Sequence, residues 1–230
     1  MVRGNEKGFT LIELLIVIAI IAIIASIAIP NLLSARVGAN ETSAIATLRN
    51  IASAQAQFQG SAKCDQDTDG EGEYGYFAEL SGLLAPRGSA NVITPPVLSG
   101  VFQNINGGMV TKSGYVFQLH LPGAGGAPTP EAGAGGAGAG VVDDDLCEGV
   151  WCCYAWPAVN QSTGNRVFVV NQSGDVLATD NTGAQQVYTG TTKMPTGDAA
   201  FTAANDITAP LSIDGQPAIA VDAGVWRPAK

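Results

Sequence analysis

Lys7-Gly-Phe-Thr-Leu-Ile-Glu13 runs straight into Leu14-Leu-Ile-Val-Ile-Ala-Ile-Ile-Ala-Ile-Ile-Ala-Ser-Ile-Ala-Ile29. Of the 21 residues from Phe9 to Ile29, only Thr10, Glu13 and Ser26 are not apolar. A helix of that length rises about 32 Å, enough to cross a hydrocarbon core of roughly 30 Å. Glu13 is the anomaly. A carboxylate inside a bilayer costs at least ~2.5 kcal/mol on insertion scales, so it marks a function and needs a partner. No Lys or Arg follows it within two helical turns, and Lys7 precedes it by six residues. The expected partner therefore lies outside its own helix.

Gly8-Phe9-Thr10-Leu11-Ile12-Glu13 ahead of an apolar helix resembles the prepilin signature of type IV pilins and of their relatives, the type II secretion pseudopilins. The resemblance covers about the first fifty residues, and beyond them it is architectural. It implies that a prepilin peptidase cuts after Gly8, that the new terminal Phe9 is N-methylated, and that Glu13 pairs with the Phe9 amine of a neighbouring subunit. It also implies the partners: other copies in a helical filament, the peptidase, an inner-membrane assembly machinery, and lipid before assembly. The expected location is the bacterial inner membrane, then a periplasmic or extracellular filament. Other readings fit less well. A secretory signal peptide ending near Ala28 has a shorter apolar core, of 7–15 residues, and a plain single-pass anchor leaves Glu13 without a reason.

Beyond Pro30 the apolar positions become periodic. Leu33, Val37, Ala44, Leu48, Ile51 and Phe58 fall on one stripe, with Asn40, Glu41, Arg49 and Gln57 on other faces. That pattern predicts an amphipathic continuation of the helix over 30–60, with a kink or local melting at Pro30 and a stop at Gly60. Residues 61–230 are expected to form a head of turns and strands, because the chain carries 29 Gly and 12 Pro. Gly114 to Leu121 alternates and reads as a strand with Tyr115, Phe117, Leu119 and Leu121 on one face. Val150–Trp156 reads as a second strand. Arg166–Val170 and Asp175–Thr179 read as a hairpin across Asn171-Gln-Ser-Gly174. Gly123–Gly140, almost wholly Gly, Ala and Pro, reads as a flexible insert. Asp180 to Lys230 has little periodicity and reads as loop with a short strand or two. The expected fold is α+β, a long kinked N-terminal helix whose amphipathic half covers one face of an antiparallel sheet. The expected divisions are a leader at 1–8, a membrane or filament-core helix at 9–29, its continuation at 30–60, and a head at 61–230.

The formal charge of −9 disfavours nucleic acid, since phosphate binding needs clustered Lys and Arg and here they are scattered. Asp65, Asp67, Asp69 and Gly70 reproduce the opening of a calcium loop, but the twelfth position is Tyr76 rather than the closing Glu of an EF-hand. Glu71 or Glu73 could complete an irregular calcium site; a solvated acidic turn is the plainer reading. Asp143-Asp-Asp145 reads as the polar end of the insert. Cys64, Cys147, Cys152 and Cys153 allow three disulfide pairings, among which a bridge from Cys64 to the Cys147–Cys153 cluster is preferred. With a single His and no paired Cys-x-x-Cys spacing, zinc is disfavoured. His120 reads as an ordinary strand residue. No nucleophile elbow or phosphate loop is present, so no enzyme is expected. The functions left are a pilus-like structural subunit, a secretion pseudopilin, or a membrane-tethered calcium-responsive binding module.

Overall fold

The computed structural model describes residues 8–137, 141–182, 187–214 and 220–229. The expectations for residues 1–7 of the leader, for 138–140 of the insert and for 183–186, 215–219 and 230 of the C-terminal segment lie outside them. One helix, α1 (Leu11–Gln59), occupies 49 residues and is about 74 Å long. It starts where Thr10 caps it and ends at Gly60, which donates back to the Ala56 carbonyl. It runs helical through Pro30, so the local melting expected there does not occur: the turns on either side hold the helix although the proline supplies no N–H.

Among the described residues, seven strands form one antiparallel sheet: β1 (Met109–Lys112), β2 (Tyr115–Pro122), β3 (Pro128–Pro130), β4 (Cys152–Pro157), β5 (Val167–Asn171), β6 (Leu177–Thr179) and β7 (Arg227–Pro228). The spatial order is β1-β2-β4-β5-β6-β7, with β3 pairing β2 beyond the end of β1. Two four-residue helices, α2 (Phe77–Leu80) and α3 (Asp144–Cys147), lie on the connections.

The amphipathic half of α1 packs on one face of this sheet. Ala44, Leu48, Ile51 and Phe58 from the predicted stripe join Tyr115, Phe117, Leu119 and Leu121 of β2 in a single core. Burial of each large apolar side chain contributes about 1.5–3 kcal/mol. Gln55 clamps the neighbouring loop: its Nε2 donates to the Gly75 carbonyl at 2.7 Å, and the Gly75 amide donates to its Oε1 at 3.0 Å. Glycine is required there, because a Cβ at position 75 would stand 2.7 Å from the Phe58 ring.

Four expectations are corrected. The sheet is covered on both faces. Cys152, Tyr154, Trp156, Val167 and Val169 point away from α1 into a second core with Tyr188, Phe201, Ile207 and Trp226. The C-terminal segment without periodicity is thus the second cover. Second, residues 123–137 are not a free insert. β3 joins the sheet edge, where proline is tolerated because its missing N–H faces no partner strand. Glu131 just after it is buried and accepts from the amides of Phe77, Ala78 and Gly136. Third, Glu41 is not on an open face. It is buried, with Arg166 Nε at 2.7 Å and the Asn165 amide donating at 3.0 Å. Fourth, Leu33 stays exposed, and the buried stripe begins further along.

Candidate functional site

The N-terminal half of α1 is left uncovered by the described residues. Phe9 is 88% exposed, and Leu11, Ile12, Ile16, Ile20, Ile24 and Ile29 are all exposed. Contiguous apolar surface on this scale is a site of association with lipid or protein. At its start, Thr10 and Glu13 form a capping box. The Glu13 amide donates to Thr10 Oγ1 at 3.3 Å, and Glu13 Oε2 accepts from the Thr10 amide at 2.8 Å and from Thr10 Oγ1 at 2.6 Å. Glu13 therefore has partners in its own helix after all, though none carries a positive charge. Thr10-x-x-Glu13 is the sequence signature of such a box, and it was there to be read. The box turns the carboxylate back toward residue 10, the side on which Phe9 and Gly8 lie. The effect is to hold an acceptor at the very end of the rod.

The acidic loop sits at the other end of α1. Asp65, Asp67 and Asp69 bring their carboxylate oxygens within 4.8 Å of one another. Asp67 makes a second group of the same span with Asp145, expected only as part of the polar end of the insert, and with Glu148. Their adjacency follows from Gln59, whose Nε2 donates to the Glu148 carbonyl at 2.7 Å and ties the α3 segment to the end of the helix. Burial, and then the carboxylates of Asp69, Glu71, Asp67 and Asp145, push the Glu148 carboxyl up to about 7. Glu71 donates its amide to Asp69 Oδ1, an ordinary turn contact. Glu73 is not available to an ion in this loop. It is buried, faces Arg87 Nη2 at 3.3 Å, and accepts from the Gln66 amide at 2.8 Å. Arg87 also binds Glu79 at 3.2 Å, so one guanidinium serves two buried carboxylates.

All four cysteines are buried and unbonded. Cys152 and Cys153 lie on opposite faces of β4, whereas Cys64, Cys147 and Cys153 share the core beneath α1. Burial pushes all four thiols up, to about 12 for Cys147, which leaves them protonated and poor nucleophiles. His120 is buried on the second face, edge-on to Tyr154, with no hydrogen-bond partner for either ring nitrogen. Burial lowers it to about 4 despite the opposing charge of Asp198, so it is neutral.

The comparisons with known proteins follow the same division. The family described as the prokaryotic N-terminal methylation motif matches residues 3–29. A family described as a protein of unknown function (DUF2950) matches residues 26–196, most of the chain. The type IV wide pilus major component PilA4 of Thermus thermophilus is 60% identical over 55 residues, 24% of this chain and 42% of that protein. The chain belongs to the DUF2950 family, and its N-terminal segment carries the prokaryotic N-terminal methylation motif and is similar to type IV pilins. Two more pilin relatives match. The type IV major pilin protein PilA of Myxococcus xanthus is 38% identical over 86 residues, 37% of this chain and 38% of that one. The narrow pilus major component PilA5 of Thermus thermophilus is 45% identical over 66 residues, 27% of this chain and 57% of that one. The chain thus spans between about two fifths and three fifths of these relatives' lengths. They are structural pilus components, not enzymes. No solved structure matches.

Proposed function

We propose that the chain is a structural subunit of a type IV pilus-like filament. A prepilin peptidase removes the residues up to Gly8, the new Phe9 amine is methylated, and copies then pack through the apolar half of α1. The observation that carries this is the exposed apolar rod of residues 9–33, capped by Glu13, on a chain whose head is otherwise well buried. Lipid covers the rod in the precursor, and other copies cover it in the filament.

Glu13 sets the register in this reading. Its Cα lies about 6 Å further along the axis than that of Phe9, by the helical rise. A second copy displaced outward by that step brings its Phe9 ammonium beside the first copy's carboxylate, displacing Thr10 from its charge-neutral contact. Each charge is then matched by a neighbour, and the contact is head-to-tail, which propagates instead of closing. Intact mass and N-terminal sequencing of sheared filaments test the processing. The expected mature terminus is methylated Phe9; a terminus at Ile29 would identify an ordinary signal peptide.

A further inference from the structure

Among the described residues the ion pairs are Arg87 with Glu73 and Glu79, Arg166 with Glu41, and Arg227 with Asp214. Arg36 and Lys63 are exposed and in no ion pair, and besides them two charged surfaces along α1 are left without counter-charge among the described residues. One is the acidic end just described, where Asp67, Asp69, Glu71 and Asp145 are exposed and crowd Glu148. The other is the outer face of the amphipathic half. Arg49 is exposed there, and with Ser43, Ala46, Asn50, Ser53 and Lys112 of β1 it lines a shallow depression. Lys112 is held in place, its Nζ donating to Thr47 Oγ1 at 3.2 Å and lying 5.7 Å over the Phe102 ring. No carboxylate pairs with Arg49 or Lys112 among the described residues. The side chains between them are small and polar, so the depression is open to a bulky acidic visitor.

We propose that Arg49 and Lys112 of one copy receive the acidic end, Asp67, Asp145 and Glu148, of a second copy of this chain. The inference rests on the pilus reading above and adds to it the contact between heads. Charge complementarity selects the occupant, because the two uncompensated surfaces have opposite sign and lie at different heights on the same rod. Arg49 precedes Gln59 by ten residues, which is about 15 Å along the axis. A copy shifted outward by that distance presents its Arg49 at the level of the first copy's acidic end. The sense of the shift is the one that brings Phe9 beside Glu13, but it is about 9 Å larger, so the head contact is made with a different neighbour in the filament. Such a contact orients the heads and weakens with salt.

The test uses the full chain in cells that export it, reading filament yield after shearing against membrane level. The Arg49→Glu plus Lys112→Glu variant should lose about tenfold in yield, as should Asp145→Lys plus Glu148→Lys, because each sets like charges face to face. Carrying all four substitutions together should restore most of the yield. Membrane level and protease resistance equal to wild type establish that the variants fold. Carbodiimide treatment of wild-type filaments should also give covalent dimers whose linked peptide joins Lys112 to Asp67, Asp145 or Glu148. Dimers without that link, unchanged yield in either reversal, or no rescue in the combination would overturn the contact. Loss of wild-type filaments in EDTA, with no rescue by the combination, would assign the acidic end to a divalent cation instead and overturn it too. A wild-type chain that makes no filaments under any condition refutes the pilus reading, and this contact with it. Normal wild-type filaments with indifferent reversals refute the contact alone.

Discussion

The two halves of α1 share one unbroken hydrogen-bonded rod and are completed in opposite ways. Residues 41–58 bury Ala44, Leu48, Ile51 and Phe58 against the sheet, and the one carboxylate there, Glu41, meets Arg166 inside the chain. Residues 9–33 bury almost nothing, and their carboxylate, Glu13, meets only the amide and hydroxyl of Thr10. The first half is stabilised by its own fold. The second half is a surface that the described residues leave without apolar covering or counter-charge, and under the proposed function both are supplied by lipid and then by other copies. A charged group with only neutral partners at the tip of an uncovered apolar rod is what an assembly element looks like before assembly.

The sharpest way to break this contrast is to shave each half equally. Phe58→Ala should cost the head about 3–5 kcal/mol, as for other fully buried large-to-small changes. Ile20→Ala, exposed in the monomer, should leave head stability unchanged. Urea unfolding of the full chain in detergent, followed by the fluorescence of buried Trp151, Trp156 and Trp226, reads both. Equal losses would mean that the two halves are one cooperative core.

The second cover of the sheet gives the next largest effect. His120 is neutral when folded at about 4 against 6.5 when free, because burial disfavours its charge. The unfolded chain therefore binds the extra proton, and stability is complete above pH 6.5 and falls as pH drops toward 4. The loss from this one group is up to about 3 kcal/mol. Its charged neighbour is Asp198, Tyr154 stands edge-on to it, and Cys152 is its register partner on β4. His120→Leu should flatten that part of the pH profile, and parallel profiles for variant and wild type would contradict the assignment.

Glu41→Gln is the smallest change. It should cost about 1–2 kcal/mol of head stability, discounted because Arg166 is partly exposed. Filament yield should scale only with that loss, in contrast to the effect of any change at Glu13.

How far the sequence carried these conclusions depended on whether a pattern was local. The apolar run, Glu13, the stripe from Ala44 to Phe58 and the alternation of Tyr115, Phe117, Leu119 and Leu121 were all legible, because each repeats at a helical or strand period. The second cover was not, since Tyr188, Phe201, Ile207 and Trp226 come from irregular chain without a period. Its signal lay in the strands themselves. Cys152-Cys-Tyr-Ala-Trp156 and Val167-Phe-Val-Val170 do not alternate with polar residues, as strands buried on both faces do not. Glu131 was equally silent, because two of its three backbone-amide partners lie 53 and 54 residues away. The acidic site was half legible. Asp65, Asp67 and Asp69 stand in sequence, whereas Asp145 and Glu148 join them only through the contact of Gln59 with the α3 segment.

The central claim is that Glu13 serves assembly rather than the fold or stability of its own chain. Replacing Glu13 with Leu removes the carboxylate from a rod that is otherwise apolar, so membrane insertion should be at least as good as wild type. Filament yield after shearing, divided by membrane level from immunoblots, is the measurement. The account predicts a wild-type membrane level with filaments lost, and a partial loss for Glu13→Gln, which accepts hydrogen bonds but cannot neutralise an amine. Normal filament yield from Glu13→Leu would contradict it.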